Sequence, residues 1–133
     1  MEYLNERLSR KRALEARTMR FAVSVFKLLD SLPLAQSFKI VGSQIGRAAS
    51  SIGANYREAN RAESRDDFTH KIGIVLKECS ETVYWLEILA SLNANSETIA
   101  GLLAEATELT RIFQSANRSL RENKVKSIDQ ANQ

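Results

Sequence analysis

The stretch from residue 64 to residue 90, SRDDFTHKIGIVLKECSETVYWLEILA, decides the fold. Ser64 followed by Arg65-Asp66-Asp67 is a helix start, because a serine hydroxyl accepts from exposed first-turn amides and acidic groups suit that end of the helix dipole. From there Phe68, Ile72, Val75, Leu76, Cys79, Val83, Leu86 and Ala90 recur at three- and four-residue steps, which predicts a helix over 65–91. Ile74, Tyr84, Trp85 and Ile88 form a second apolar row. One row is enough to pack inside a bundle, so the second predicts a helix buried on two sides. Ile74, Tyr84, Trp85 and Ile88 are therefore the candidate oligomer interface.

The same periodicity extends both ways. Upstream, Phe38, Val41, Ile45, Ala48, Ala49, Ile52 and Tyr56 predict a helix that fades at Arg61-Ala62-Glu63. Before it, Leu14, Phe21, Val25, Leu28, Leu29 and Leu32 mark another, which Pro33 ends. Downstream, Asn93-Ala94-Asn95-Ser96 interrupts the pattern, and Ile99, Leu102, Leu103, Ala106, Leu109, Phe113, Ala116 and Leu120 define a fourth helix. No strand is predicted, and the fold class is an all-α, antiparallel up-and-down four-helix bundle over residues 14–124. Residues 1–13 read as a basic arm or an extension of helix one, and residues 125–133 as a frayed tail.

Composition agrees with one ordinary domain: 133 residues, 44% apolar, one proline and five glycines exclude disorder and collagen-like repeats. All five glycines, at 42, 46, 53, 73 and 101, fall inside predicted helices, where each costs about 1 kcal/mol relative to alanine. Gly42, Gly46 and Gly53 make a flat strip for close helix packing, or a bend near Ser50-Ser51-Ile52-Gly53. The opening Met1-Glu2-Tyr3-Leu4-Asn5-Glu6 lacks a basic-then-apolar leader, and no apolar run approaches the roughly 18 residues of a span. A cytoplasmic protein without a membrane partner is expected.

Little points to catalysis. The single Cys79 excludes an internal disulfide and falls on the apolar row of helix three, where it reads as a small buried hydrophobe. His70 is the only histidine, and the Glu-x-x-His pairs of di-iron bundles are missing. Neither a phosphate-cradling glycine loop nor a nucleophile elbow occurs. No enzyme activity, metal or cofactor is expected.

Charge is unevenly placed. Residues 78–108 hold six glutamates and no Lys or Arg, whereas residues 109–126 carry Arg111, Arg118, Arg121, Lys124 and Lys126 against Glu122. The first twenty residues hold six cations, among them Arg10, Lys11, Arg12 and Arg17, against three carboxylates. In an up-and-down bundle these two basic segments share one end. Arg10, Lys11, Arg12, Arg17, Arg111, Arg118, Arg121 and Lys124 are thus candidates for contacting RNA or DNA, beside the plainer reading of a solvated face. Arg47, Arg57, Arg61 and Arg65 suit phosphate or a glutamate partner equally well.

The run from Ser43 to Ala59, SQIGRAASSIGANYREA, followed by Ser64, Asp67-Phe68 and Lys71, resembles the hallmark of the 23S ribosomal RNA intervening-sequence proteins, a family of four-helix bundles. Lys77-Glu78, Glu81-Thr82 and Tyr84-Trp85-Leu86 also fit, and the likeness spans roughly residues 14–122. Gln44, Arg47, Ser51, Asn55, Tyr56, Arg57 and Glu58 are its motif residues here. The chain departs from many relatives at Gly53, where they carry proline, and at Asn60, where they carry a helix-ending glycine. The resemblance implies a bacterial homopentamer with no established chemistry. The fold is also similar to the accessory protein of diversity-generating retroelements, which engages nucleic acid and a reverse transcriptase. A non-enzymatic oligomer that binds nucleic acid by a basic rim is the leading expectation, and a scaffold for a protein partner is the other.

Overall fold

The computed structural model describes residues 1–92 and 96–133, and four helices account for nearly all of them: α1 (Glu2–Asp30), α2 (Gln36–Ala59), α3 (Arg65–Ser91) and α4 (Ser96–Ala131). The expected break at residues 93–95 lies outside the described residues. Neighbours pack in the order α1, α2, α3, α4, and a smaller α1–α4 contact closes the ring. The fold is the expected all-α four-helix bundle.

Local chemistry explains the boundaries. Ser64 caps α3 by accepting from the Asp67 amide at 3.1 Å, with Asp66 and Asp67 in the first turn. Past α1, the Ser31 hydroxyl donates to the Leu28 carbonyl at 2.6 Å, and Pro33 blocks continuation. α2 stays unbroken through Ser50-Ser51-Ile52-Gly53, although the Ser50 and Ser51 hydroxyls do bond back to the Gly46 and Arg47 carbonyls, both at 2.7 Å.

The core is built from Phe21, Val25 and Leu28 of α1, Ile45, Ala49, Ile52 and Tyr56 of α2, Ile72, Val75, Cys79, Leu86 and Leu89 of α3, and Ile99, Leu109 and Phe113 of α4. On α3 the buried row ends at Leu89, three residues after Leu86, and the expected Ala90 is exposed. Two threonines share this interior. Thr18 and Thr82 each donate to a carbonyl of their own helix, those of Glu15 and Glu78, so their hydroxyls carry no unmet hydrogen bond.

The glycine strip has a definite neighbour. A Cβ at Gly42, Gly46 or Gly53 would meet Leu29, Phe26 or Thr18 of α1, in the last case at 3.0 Å from the Thr18 hydroxyl oxygen. At Gly101 nothing lies within 4 Å. Gly53→Ala should therefore lower stability, and Gly101→Ala should raise it by up to about 1 kcal/mol. Thermal melts of the two variants check both signs.

Helix length decides what projects from the bundle. At about 1.5 Å per residue, α1 is about 43 Å long and α4 about 54 Å, against about 36 Å for α2 and about 40 Å for α3. Asn60, at the end of α2, donates to the Glu15 carboxylate at 3.0 Å, which sets the α2–α3 turn level with residue 15 of α1. Residues 2–13 therefore stand beyond the turn as three helical turns of α1. Residues 125–131 continue α4 as helix: they lack an apolar row, but they also lack glycine and proline, and a helix once nucleated propagates cheaply.

Candidate nucleic-acid interface

The end that carries the N-terminus of α1 and the C-terminus of α4 gathers most of the predicted basic residues. At about 100° per residue, the core-facing row of α1, Val25, Phe21, Thr18 and Leu14, continues through Arg10, Arg7 and Tyr3. Lys11 and Leu4 flank that row on one side and Glu6 on the other, with Glu2 further round the helix. The Arg7 guanidinium sits 5.9 Å from the Tyr3 ring centre. α4 behaves alike: Phe113, Ala116 and Leu120 lead to Lys124, flanked by Arg121. Where the other two helices stop, core-row positions change from apolar to cationic.

Ion pairing divides the eight candidate cations. Arg17 holds Glu105 through both oxygens, at 2.8 and 2.7 Å, Arg111 holds Glu108 at 2.6 Å, and Lys124 reaches Asp66 at 3.4 Å. Arg17 and Arg111 also stand on the sides of the bundle, about 10 Å along their helices from Arg10 and Arg118. Among the described residues, Arg10, Lys11, Arg12, Arg118 and Arg121 form no salt bridge. Arg57, Arg61 and Arg65 are exposed on the α2–α3 side of this end. Just inside it, the side-chain oxygens of Asn60 and Asn117 are buried without a hydrogen-bond donor.

The motif residues of α2 do structural work. Arg47 spans to α3 and pairs with Glu78 at 3.3 Å and Glu81 at 2.5 Å. Asn55 donates to the Ser51 carbonyl at 2.8 Å, Tyr56 stacks edge-on against Phe113 at 5.3 Å, and Arg57 lies 3.6 Å from the Met19 sulfur. Gln44 is half-buried and Glu58 exposed. Of the predicted interface residues, Trp85 and Ile88 are packed in part against the core, Ile74 is half-buried, and Tyr84 alone stands clear at 58% exposure.

The shifts of Glu105 and Cys79 bear on stability. Hydrogen bonding to Arg17 holds the Glu105 carboxyl low, so this pair supports the fold above an unfolded carboxyl's value of about 4.3 and is lost as pH falls through the lower folded value. Burial pushes the Cys79 thiol up to about 12, opposed by a Thr110 hydrogen bond. The folded state thus keeps the thiol proton. Below an unfolded thiol's pKa of about 8.5 stability is unaffected, and between there and about 12 it falls by up to about 1.4 kcal/mol per pH unit. Urea unfolding from pH 8 to 11 should show that slope reduced in Cys79→Ala, and iodoacetamide should leave native Cys79 unmodified at pH 8.

His70 is exposed, and no group of three or more His, Cys, Asp or Glu able to hold a metal occurs among the described residues. No described helix is long and apolar enough to cross a membrane.

The bundle with its motif face on α2 and α3 has known counterparts. The family model for 23S rRNA-intervening sequence proteins matches residues 12–115. The chain belongs to this family. A solved relative is a protein of unknown function from the S23 ribosomal protein family of Bacteroides thetaiotaomicron, 36% identical, covering 77% of this chain and 96% of its own, with a TM-score of 0.71. No curated protein matches the chain. The family match ends at Phe113 plus two residues, so Arg118, Arg121 and Lys124 lie beyond it, as do Arg10 and Lys11 at the other terminus.

Proposed function

We propose that this 23S rRNA-intervening sequence protein is a non-enzymatic, homo-oligomeric bundle, pentameric as the sequence resemblance implies, that binds RNA or DNA through the end bearing the two overhangs. One observation carries the reading: core-row positions become cationic where neighbouring helices stop, at Arg7 and Arg10 on α1. Buried in a bundle such residues would be costly; facing solvent beyond it, they present charge to phosphate. An oligomer would repeat the surface around one rim and multiply the field.

The test is a salt titration of binding to labelled RNA and duplex DNA. Affinity should fall steeply as salt rises, because each neutralised phosphate releases counterions. Absence of binding at low salt, or indifference to salt, overturns the reading. A second reading, a scaffold for a protein partner, is favoured by the exposed apolar residues of the same overhangs, Leu4 at 62%, Val125 at 58% and Ile128 at 50%. Recovery of one defined protein with the bundle after nuclease treatment would support it.

A further inference from the structure

Tyr3 is an aromatic ring with little built around it. It stands on the row of α1 that meets the core lower down the helix, yet α2 and α3 do not reach it, and the ring is 65% exposed. Residues 1–10 are exposed throughout, so Tyr3 projects about two helical turns past Arg10. The Arg7 guanidinium lies over the ring at 5.9 Å, and no second aromatic ring meets it among the described residues. Arg7, Arg10 and Lys11 form no salt bridge among those residues.

The other exposed aromatic side chains have different surroundings. Phe26 lies about 35 Å further along α1 with its ring against α2, 3.4 Å from where a Cβ on Gly46 would stand. Tyr84 meets the Trp85 ring edge-on at 5.2 Å, within residues 78–108, which hold no Lys or Arg. Tyr3 alone combines a ring clear of the bundle with a run of unpaired cations.

Cations and a ring on one side of a helix act differently on a nucleic acid. Arg7 and Arg10 attract phosphate, which paired and unpaired strands both carry. A ring attracts the flat face of a base, and within a duplex those faces are already covered by the bases above and below. In an unpaired strand they are open, and stacking on an aromatic side chain adds to the phosphate contacts with little regard to sequence. Tyr3 and Arg10 are about 10 Å apart along α1, so one short stretch of strand reaches both.

We propose that the projecting end of α1 is a site for single-stranded nucleic acid, with an unpaired base stacked on Tyr3 and the adjoining phosphates on Arg7 and Arg10. The cations supply affinity for any strand, and Tyr3 supplies the preference for an unpaired one. This deepens the proposed function and rests on it.

The test compares labelled oligo(dT) and oligo(U) with an abasic strand of the same length and with a duplex, all at one salt concentration. Tyr3→Ala should bind whichever of oligo(dT) and oligo(U) the wild type holds about five- to a hundredfold more weakly, and should bind the abasic strand and the duplex as the wild type does. Its log–log salt slope should be unchanged, because no phosphate contact is lost. Tyr3→Phe keeps the ring and should restore the affinity. Equal losses on every probe, or no loss on any, overturn the inference while leaving salt-dependent binding, and with it the proposed function, in place. A wild type that binds none of the probes at low salt overturns the proposed function itself, and the Tyr3 site falls with it.

Discussion

Phe113→Ala is expected to remove about 3–5 kcal/mol, a large share of a stability that for such a domain is about 5–15 kcal/mol in all. Phe113 is 1% exposed and meets the Tyr56 ring edge-on at 5.3 Å, so it ties α4 to the diagonal helix α2 through the middle of the core. Truncation loses both the transfer free energy of the ring and the edge-to-face contact, and leaves a cavity that four long helices cannot easily close. The melting temperature should fall by roughly 10–20 °C. Tyr3→Ala provides the contrast: an aromatic side chain of similar size but 65% exposed, whose loss should move stability by no more than about 0.5 kcal/mol. A Phe113→Ala protein that melts within a few degrees of the wild type would mean that this ring is not the diagonal tie of the core.

How legible each part was depends on what the local sequence encodes. The helix over 65–91 could be read to the residue, because Ser64 and Asp66-Asp67 announce its start and the apolar row continues without interruption. Pro33 made the end of α1 equally plain. The overhangs were harder. Periodicity reports where a helix touches something apolar, and residues 2–13 and 125–131 are helical without doing so; they extend α1 and α4 because nothing in their sequence stops a helix. The exposed apolar row Met19, Val23 and Phe26 of α1 was missed for a different reason. Met19, Val23 and Phe26 do have helical spacing, but the stronger row Phe21, Val25 and Leu28 runs through the same residues and absorbs the signal. Arg17 and Arg111 could not be separated from the free cations, since pairing with Glu105 and with Glu108 depends on rotamers and, for Arg17, on how α4 packs beside α1. Likewise, the half-burial of Trp85 and Ile88 within one chain follows from the angle at which α3 lies in the bundle, which no spacing rule supplies.

That division of the cations gives the other large effect. Replacing Arg10, Lys11, Arg118 and Arg121 together by glutamine should lower affinity for RNA or DNA by about a thousandfold or more near 0.1 M salt, and should flatten the log–log salt slope by up to about 3.6 if each contacts a phosphate. Those four side chains lie outside the core and in no salt bridge among the described residues, so the fold should be unchanged. Arg17→Gln with Arg111→Gln removes the same kind of charge from the sides of the bundle, where Glu105 and Glu108 already neutralise it. Binding should then stay within about threefold, since a carboxylate at 2.7 Å leaves the guanidinium few counterions to release. Equal losses from the two sets would extend the contact from the end along the flank. Nucleic acid lying along the sides of the bundle would occupy surface that neighbouring bundles of the proposed oligomer need, and saturating nucleic acid should then dissociate it. With the contact confined to the end, the sides of the bundle stay free, and saturating nucleic acid should leave the proposed oligomer whole.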